Sequence, residues 1–572
     1  MRDEPLLFAV TPRMDPRAPA TWSSHGRWAG WGYLLPAVAV MTAVLVAPLA
    51  MTVIESLRFP DAYRTLVTAA DFWLPLRNNL IWMGFALVAC ALGLGLALLA
   101  RDVGGRLRRV LTAALTVPAV VTPLAAGITL RLIFDFRPER GLTGGGAREG
   151  YLLGPGWIWL LLGMAFVWQW TGVAFLVFRE GLGRIRGDLL RVARVFAPGR
   201  WSRARLVLIP ALFPTAAVAG LIVLIAATRA FEIVLVAVPG SIQDQVDVLG
   251  LYWWRQSDVF APGEREALGV LLFLIPATAA LLLLWRLRRD LPPPGETGGT
   301  GRTGETGARG PGRVARAASA LVAAVWLTPI AVLLLTSLRD PVGAARSGVR
   351  AAGHGFASYA EALRDGSFLD ALTPTATRSL LVAVLVVLLA VPAAYGLTYA
   401  GMRRRAGALV VALAAALATI PPQAVAVPLG RVTDRLVGGP VTLSLVHTAL
   451  VLPLAVLLLR NAFLSVPRPV VDRPLAQGHS AFRWVVEARL PAVVTVAVLA
   501  AVFTWNDLIV SLLLNWPAAD QVPLVIWQQA REFATSAGPL AAESVMAGAV
   551  PVVLVLATGR WLTQGLTQGV AR

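Results

Sequence analysis

Residue types able to make or break bonds are sparse in this chain of 572 residues. It has no lysine, and all 51 of its basic residues are arginine. A phosphate-binding loop of the form G-x-x-x-x-G-K-[ST] cannot be written without lysine, so no standard ATPase site is present. The single cysteine, Cys90, offers neither an intrachain disulfide nor a thiol cluster. His25, His354, His447 and His479 lie far apart with no H-E-x-x-H spacing, so the sequence marks no metal centre and no bound cofactor.

What the spacing does offer is binding. Two arginine-rich stretches, residues 179–214 and 460–491, each follow one apolar run and lead into another. In the first, Asp188 opens a short helical stretch over 188–196, a break follows at Ala197, Pro198 and Gly199, and Arg200 and Trp201 lead on to Pro210. In the second, Asp472 follows Pro467, a break falls at Gly478, and Arg483 and Trp484 lead on to Pro491. The interval from Arg186 to Pro210 is 24 positions, and from Pro467 to Pro491 it is 24 again. A helix, a break and a second helix form a compact knob that another protein can grip by helix-in-groove contact. Two such knobs imply two docking sites for one kind of partner.

The elements that position these stretches must be membrane spans. With 57% hydrophobic and 15% charged residues, the composition is that of an all-α polytopic membrane protein. The net charge of +19 arises from arginines clustered at the ends of apolar runs, which is the positive-inside pattern and not a nucleic-acid face. Apolar runs of about 20 residues, the length that crosses a bilayer as helix, fall near 31–54, 78–100, 110–134, 152–178, 206–230 and 267–287. Six more fall near 317–337, 379–400, 407–429, 441–460, 490–514 and 541–561, giving an expected twelve spans. The basic connections at 101–109, 179–205, 286–289, 402–405 and 460–489 then share one side, which places both termini in the cytoplasm. Residues 1–30 read as a cytoplasmic tail without a secretory cleavage site. Residues 291–313, rich in proline, glycine and threonine, read as a flexible cytoplasmic linker between a first six-span domain, 31–290, and a second, 314–572.

The halves repeat in detail. Pro48 is followed eight residues later by Ser56-Leu57-Arg58, and Pro329 by Ser337-Leu338-Arg339. The third spans carry Pro118 and Pro123 against Pro421, Pro422 and Pro428. This pattern is that of a duplication with parallel repeats related by an axis along the membrane normal. Arg229 and Glu232, three apart at the outer end of the fifth span, are placed to pair on one helix face. Trp157, Trp168, Trp170, Trp253 and Trp254 are expected in the interfacial aromatic belt.

The basic stretches resemble the EAA loop of binding-protein-dependent ABC importer permeases. Arg191, Val192 and Ala193 stand at the Glu-Ala-Ala of that pattern and Ala197 at its glycine; Asp472, Arg473 and Pro474 stand there in the second stretch, with Gly478 kept. The first stretch thus lacks the acidic residue, and Pro474 is expected to interrupt the second helix near its start. The first half resembles a maltose or glycerol-phosphate type permease subunit through Tyr33-Leu34-Leu35-Pro36, Asn78-Asn79-Leu80 and Phe231-Glu232. The second resembles the partner subunit through Ile420-Pro421-Pro422-Gln423, Pro428-Leu429, Trp505-Asn506-Asp507 and Gly565-Leu566-Thr567-Gln568-Gly569.

This resemblance implies two tandem six-helix type I ABC importer transmembrane domains in a bacterial cytoplasmic (inner) membrane, carrying a carbohydrate or related polar solute. It implies two copies of a separate ABC ATPase subunit docked at the loops, with ATP used there and no enzymatic chemistry here, and an extracytoplasmic solute-binding protein. The coupling residues would be Asp188, Arg191, Ala193, Ala197, Gly199 and Pro210 in one loop and Asp472, Gly478 and Pro491 in the other. Phe231, Glu232, Trp505, Asn506 and Asp507 would line the translocation path, the rings stacking on solute and the polar groups meeting hydroxyls. Two other readings stay open: a fused ABC permease for ferric iron or thiamine, and a twelve-span ion-coupled secondary transporter with acidic proton relays in its spans.

Overall fold

The computed structural model describes residues 29–290 apart from 102, 135–154 and 186–208, and residues 313–569 apart from 348–354, 365, 400–403, 437–438, 467, 478–479, 515–520 and 532. The expected N-terminal tail up to residue 28 and the linker, apart from Arg313, lie outside the described residues. Every regular element within them is helical. Among the described residues nine helices are long and apolar enough to cross a membrane, and eleven if each of two bent pairs counts as one span.

Several of the twelve expected spans are broken within their length. The first half's third span is two helices, Gly105–Val120 and Pro123–Ile133, meeting at 105°. Its counterpart is Arg404–Leu417, an interruption at 418–422, and Gln423–Leu436. The second half's fifth span ends at Asn506 and restarts as Ile509–Leu514 after two residues. Proline causes the third-span breaks, because Pro123, Pro421 and Pro422 have no N–H to continue the helical ladder. Thr122 caps the restarted helix, accepting from the Ala125 N–H at 2.9 Å.

The repeat seen in the sequence is built in three dimensions. Ser56 and the Tyr63 hydroxyl of the following short helix, Asp61–Thr68, lie 2.9 Å apart. Ser337 and the Tyr359 hydroxyl of the helix Ala357–Arg364 lie 2.8 Å apart. Both serines are fully buried. Each also donates to the carbonyl three residues back, Val53 or Leu334, so the same turn is stapled in each half.

The halves exchange their first spans. Leu34, Ala37, Met41 and Leu45 of the first half sit in the core of the second, against Ser367–Tyr399. Ala323, Val332 and Leu333 of the second half's first helix, Arg313–Ser337, sit in the core of the first. Trp168 and Trp326 clasp this second contact, each indole N–H donating to the other's carbonyl at 2.8 and 3.1 Å. Lipid is as apolar as leucine, so close packing between small residues must hold such helices together. Ala86, Ala89, Gly93, Ala97 and Ala100 accordingly form the buried stripe of Ala70–Arg101, while Leu80, Leu87, Leu92 and Leu98 face outward. At Gly93 a Cβ would lie 2.6 Å from the Ala174 Cβ, and at Gly172 it would lie 1.9 Å from the Leu115 carbonyl oxygen.

Candidate functional site

The breaks in the third and fifth spans of both halves meet at the centre of the molecule. Arg229 follows the last residue of Ile209–Thr228. Its Nη2 donates to the Ile420 carbonyl at 2.6 Å and the Ala418 carbonyl at 3.4 Å, in the broken third span of the opposite half. Asn506, last residue of Leu490–Asn506, donates from Nδ2 to the Val120 carbonyl at 2.9 Å, again in the opposite half's broken third span. Glu232 accepts from the Leu508 N–H at 3.4 Å across the same interface.

The expected Arg229–Glu232 ion pair is not formed. The chain leaves helical geometry at Arg229 and Ala230, so a spacing of three no longer puts the two side chains on one face. Arg229 turns toward the second half's carbonyls and Glu232 toward Leu508.

Asp507 is buried behind Asn506. Its Oδ2 accepts from the Val510 N–H at 2.9 Å, capping the restarted helix, and lies 3.2 Å from His447 Nε2. His447 is itself fully buried, with Nδ1 2.8 Å from the Leu443 carbonyl. With its amide oriented to satisfy both ends, Gln521 donates to Ser511 at 2.8 Å and to the Asp507 carbonyl at 3.0 Å, and accepts from Arg378. His447, Gln521 and Arg378 were given no role by sequence reasoning. They are scattered over more than a hundred positions, and only the meeting of helices brings them together.

Of the rings, Phe231 is buried at the interface and lines the cavity described below, whereas Trp505 is buried away from it and donates to the Ala547 carbonyl of the last helix at 3.0 Å. Phe231 packs edge-on against Trp254 at 6.0 Å, and Trp254 against Trp527 of the other half at 6.3 Å. Trp157 is exposed as a belt residue should be. Trp168 and Trp253 are corrected to core residues: the first joins the clasp with Trp326, and the second, 1% exposed, donates to the Arg265 carbonyl at 2.9 Å. Between the halves Thr228, Arg229, Phe231, Thr419, Pro421 and Gln423 enclose a cavity of about 10 Å³, room for about one water.

Just outside it, the Asn78-Asn79 pair fastens the segment that leads to Trp254. Asn78 donates to the Gln245 and Asp247 carbonyls at 3.2 and 2.9 Å, and Asn79 accepts from the Leu249 N–H at 2.8 Å. Burial pushes the Asp247 carboxyl up to about 6, although Arg255 contacts it at 2.7 Å and favours its ionised form.

Of the first basic stretch, Asp188, Arg191, Ala193, Ala197 and Gly199 lie outside the described residues, and Pro210 stands in the first turn of Ile209–Thr228. The second stretch folds as helix, break, helix: Arg468–Ala476, then Phe482–Ala488, then a 74° bend into Leu490–Asn506 with Pro491 in its first turn. Gly478 lies outside the described residues. Pro474 does not interrupt its helix as expected; the helix runs on through Ala476, with Pro474 buried and Asp472 exposed. Arg489 fixes the stretch by donating to the Ala462 carbonyl at 3.1 Å and to the Ser465 carbonyl. Tyr33 of the first half stacks on Phe482 at 6.0 Å, so the swapped first span buttresses the loop.

The model of the family described as the binding-protein-dependent transport system inner membrane component matches residues 89–287. The sulfoquinovosyl glycerol transport system permease protein SmoH of Agrobacterium fabrum is 31% identical over 229 residues, which are 37% of this chain and 76% of SmoH. This chain belongs to that family. The permease is also 26% identical to the osmoprotective compounds uptake permease protein GgtD of Synechocystis sp. over 266 residues, 43% of this chain and 88% of GgtD. A chain in the crystal structure of a bacterial alginate ABC transporter, in complex with an alginate pentasaccharide-bound periplasmic protein, aligns over 46% of the permease and 94% of its own length, at 20% identity and a TM-score of 0.41. The permease is thus an all-α, multi-pass inner-membrane transport protein and not an enzyme.

Proposed function

We propose that the permease is the complete membrane-spanning pair of an ATP-driven importer for a carbohydrate or related polar solute, with two six-span units, 31–290 and 314–572, in one chain. The observation that carries this is the architectural repeat: matched serine–tyrosine staples, matched broken spans and exchanged first helices. Relatives that align over most of their own length cover less than half of the permease, which supports two units. The name of SmoH favours a sugar-derived solute over ferric iron or thiamine, and membership of a binding-protein-dependent family favours an ATPase over an ion gradient.

In this reading both termini are cytoplasmic, an extracytoplasmic binding protein delivers the solute, and two ATPase subunits dock at the basic stretches. Closure of the ATPases pulls on the loops, rotates the halves and opens the closed cavity outward. The solute then passes between the broken spans, where Phe231 supplies a ring and Glu232, Asn506 and Asp507 supply polar groups. Trp505 takes a supporting place behind Asn506. ATP is spent on the partner subunits, and the permease holds no cofactor of its own.

Uptake of labelled oligosaccharides by the native host tests this. Deleting the gene is expected to abolish uptake of one carbohydrate, and in intact cells that uptake should fall with ATP depletion under conditions that keep the proton gradient. Uptake that survives ATP depletion and collapses with an uncoupler would contradict the reading.

A further inference from the structure

We propose that Arg229 and Asn506 are a matched pair of cross-half latches, each capping a helix end of the opposite half and holding the path shut. The inference rests on reading the interface between the halves as the path. Its physical origin is proline. The Ala418 carbonyl would accept from the N–H three or four residues on, but those residues are Pro421 and Pro422. The Val120 carbonyl likewise faces Pro123 at its third position. Each broken third span therefore ends in a carbonyl that its own helix leaves unpaired, in a region where water is scarce and an unpaired carbonyl is costly. Arg229 supplies the donor at one end, reaching the Ala418 carbonyl at 3.4 Å beside its shorter bond of 2.6 Å to the Ile420 carbonyl in the same break, and Asn506 supplies it at the other, both from fifth-span breaks. The guanidinium is the stronger cap, since a cation at a helix C-terminus also meets the negative end of the helix dipole.

Protein groups satisfy the latches only in part. Arg229 Nε, Asn506 Oδ1 and Glu232 Oε2 are buried without a hydrogen-bond partner. A purely structural contact would gain by pairing these atoms. Leaving them unpaired makes the closed state easier to leave, because parting the halves lets water reach all three. Arg229 and Asn506 are accordingly positioning residues that set how readily the halves part.

Thiol labelling tests this without an ATPase or a solute, so its failure is distinguishable from failure of the importer reading. In a Cys90→Ser background, Thr419→Cys places a thiol on the wall of the closed cavity, and Ala86→Cys places a control in the core of the first half. The full-length permease in lipid nanodiscs is treated with a charged methanethiosulfonate. Arg229→Met is expected to raise the labelling rate at position 419 by about tenfold or more and Asn506→Leu by several-fold, as loss of a charged and a neutral hydrogen bond predicts. Arg229→Lys, which keeps charge and donor, should retain most of the slow labelling. Unchanged labelling at 419 in folded Arg229→Met and Asn506→Leu proteins would overturn the proposal. So would equal acceleration at position 86, which would show general loosening instead of an opened latch.

Discussion

Replacing Gly172 with alanine is expected to remove nearly all folded permease from the membrane. Gly172 lies in Pro155–Arg184, where that helix crosses Gly105–Val120. An added Cβ would sit 1.9 Å from the Leu115 carbonyl oxygen and 2.8 Å from the Leu115 carbonyl carbon. These are backbone atoms of a packed helix, so no rotamer change relieves the clash. Overpacking a core costs about 1–3 kcal/mol when side chains can shift, and a backbone clash at this distance exceeds that range. The neighbouring close approach at Gly93 leaves the same helix no freedom to slide away. Gly183→Ala is the internal control, since it lies on the same helix with nothing within 4 Å of its added carbon. Fluorescence-detected size exclusion should show a normal monodisperse peak for Gly183→Ala and loss of the peak for Gly172→Ala. Equal peaks would mean that the two helices do not cross as described.

A second substitution should spare folding and cut uptake at least tenfold. Asp472→Arg reverses the charge of an exposed residue on Arg468–Ala476, the helix that carries the acidic position of the docking pattern. The loop is fixed from beneath by Arg489, on the Ala462 and Ser465 carbonyls, and by the Tyr33–Phe482 stack, none of which involves Asp472. Stability should therefore change by no more than about 0.5 kcal/mol, the usual range for surface changes. Uptake and recovery of an ATPase subunit on the tagged permease should each drop at least tenfold, the effect of about 1.4 kcal/mol on a docking equilibrium. Asp472→Glu should behave as wild type. An undiminished ATPase yield with Asp472→Arg would remove the docking role assigned to this helix.

Much of the fold was legible in the residue string because bilayers impose a strong length and polarity rule. Apolar runs marked the spans, and the paired Ser-Leu-Arg turns marked the repeat before the Ser56–Tyr63 and Ser337–Tyr359 contacts were seen. The prolines of the third spans marked the repeat, and only the structure showed that the helices break there. The candidate site was less legible. Arg229 finds its acceptors nearly two hundred residues away, and His447 meets Asp507 across 60 positions. No periodicity connects such pairs. The rule that residues three apart share a helix face failed for Arg229 and Glu232 because one helix ends at Thr228 and the next begins only at Phe231. Trp168 and Trp253 escaped for a related reason: tryptophan near a span end suits the interface, and only tertiary packing turns it inward.

The most direct test of the account is native mass spectrometry of the tagged permease extracted from its own membranes. One permease chain is expected to carry two P-loop ATPase polypeptides, in a complex that loses them when both basic stretches are replaced by neutral linkers. A permease that is reproducibly recovered without an ATPase, or that needs a second permease chain to bind a pair of them, would contradict it.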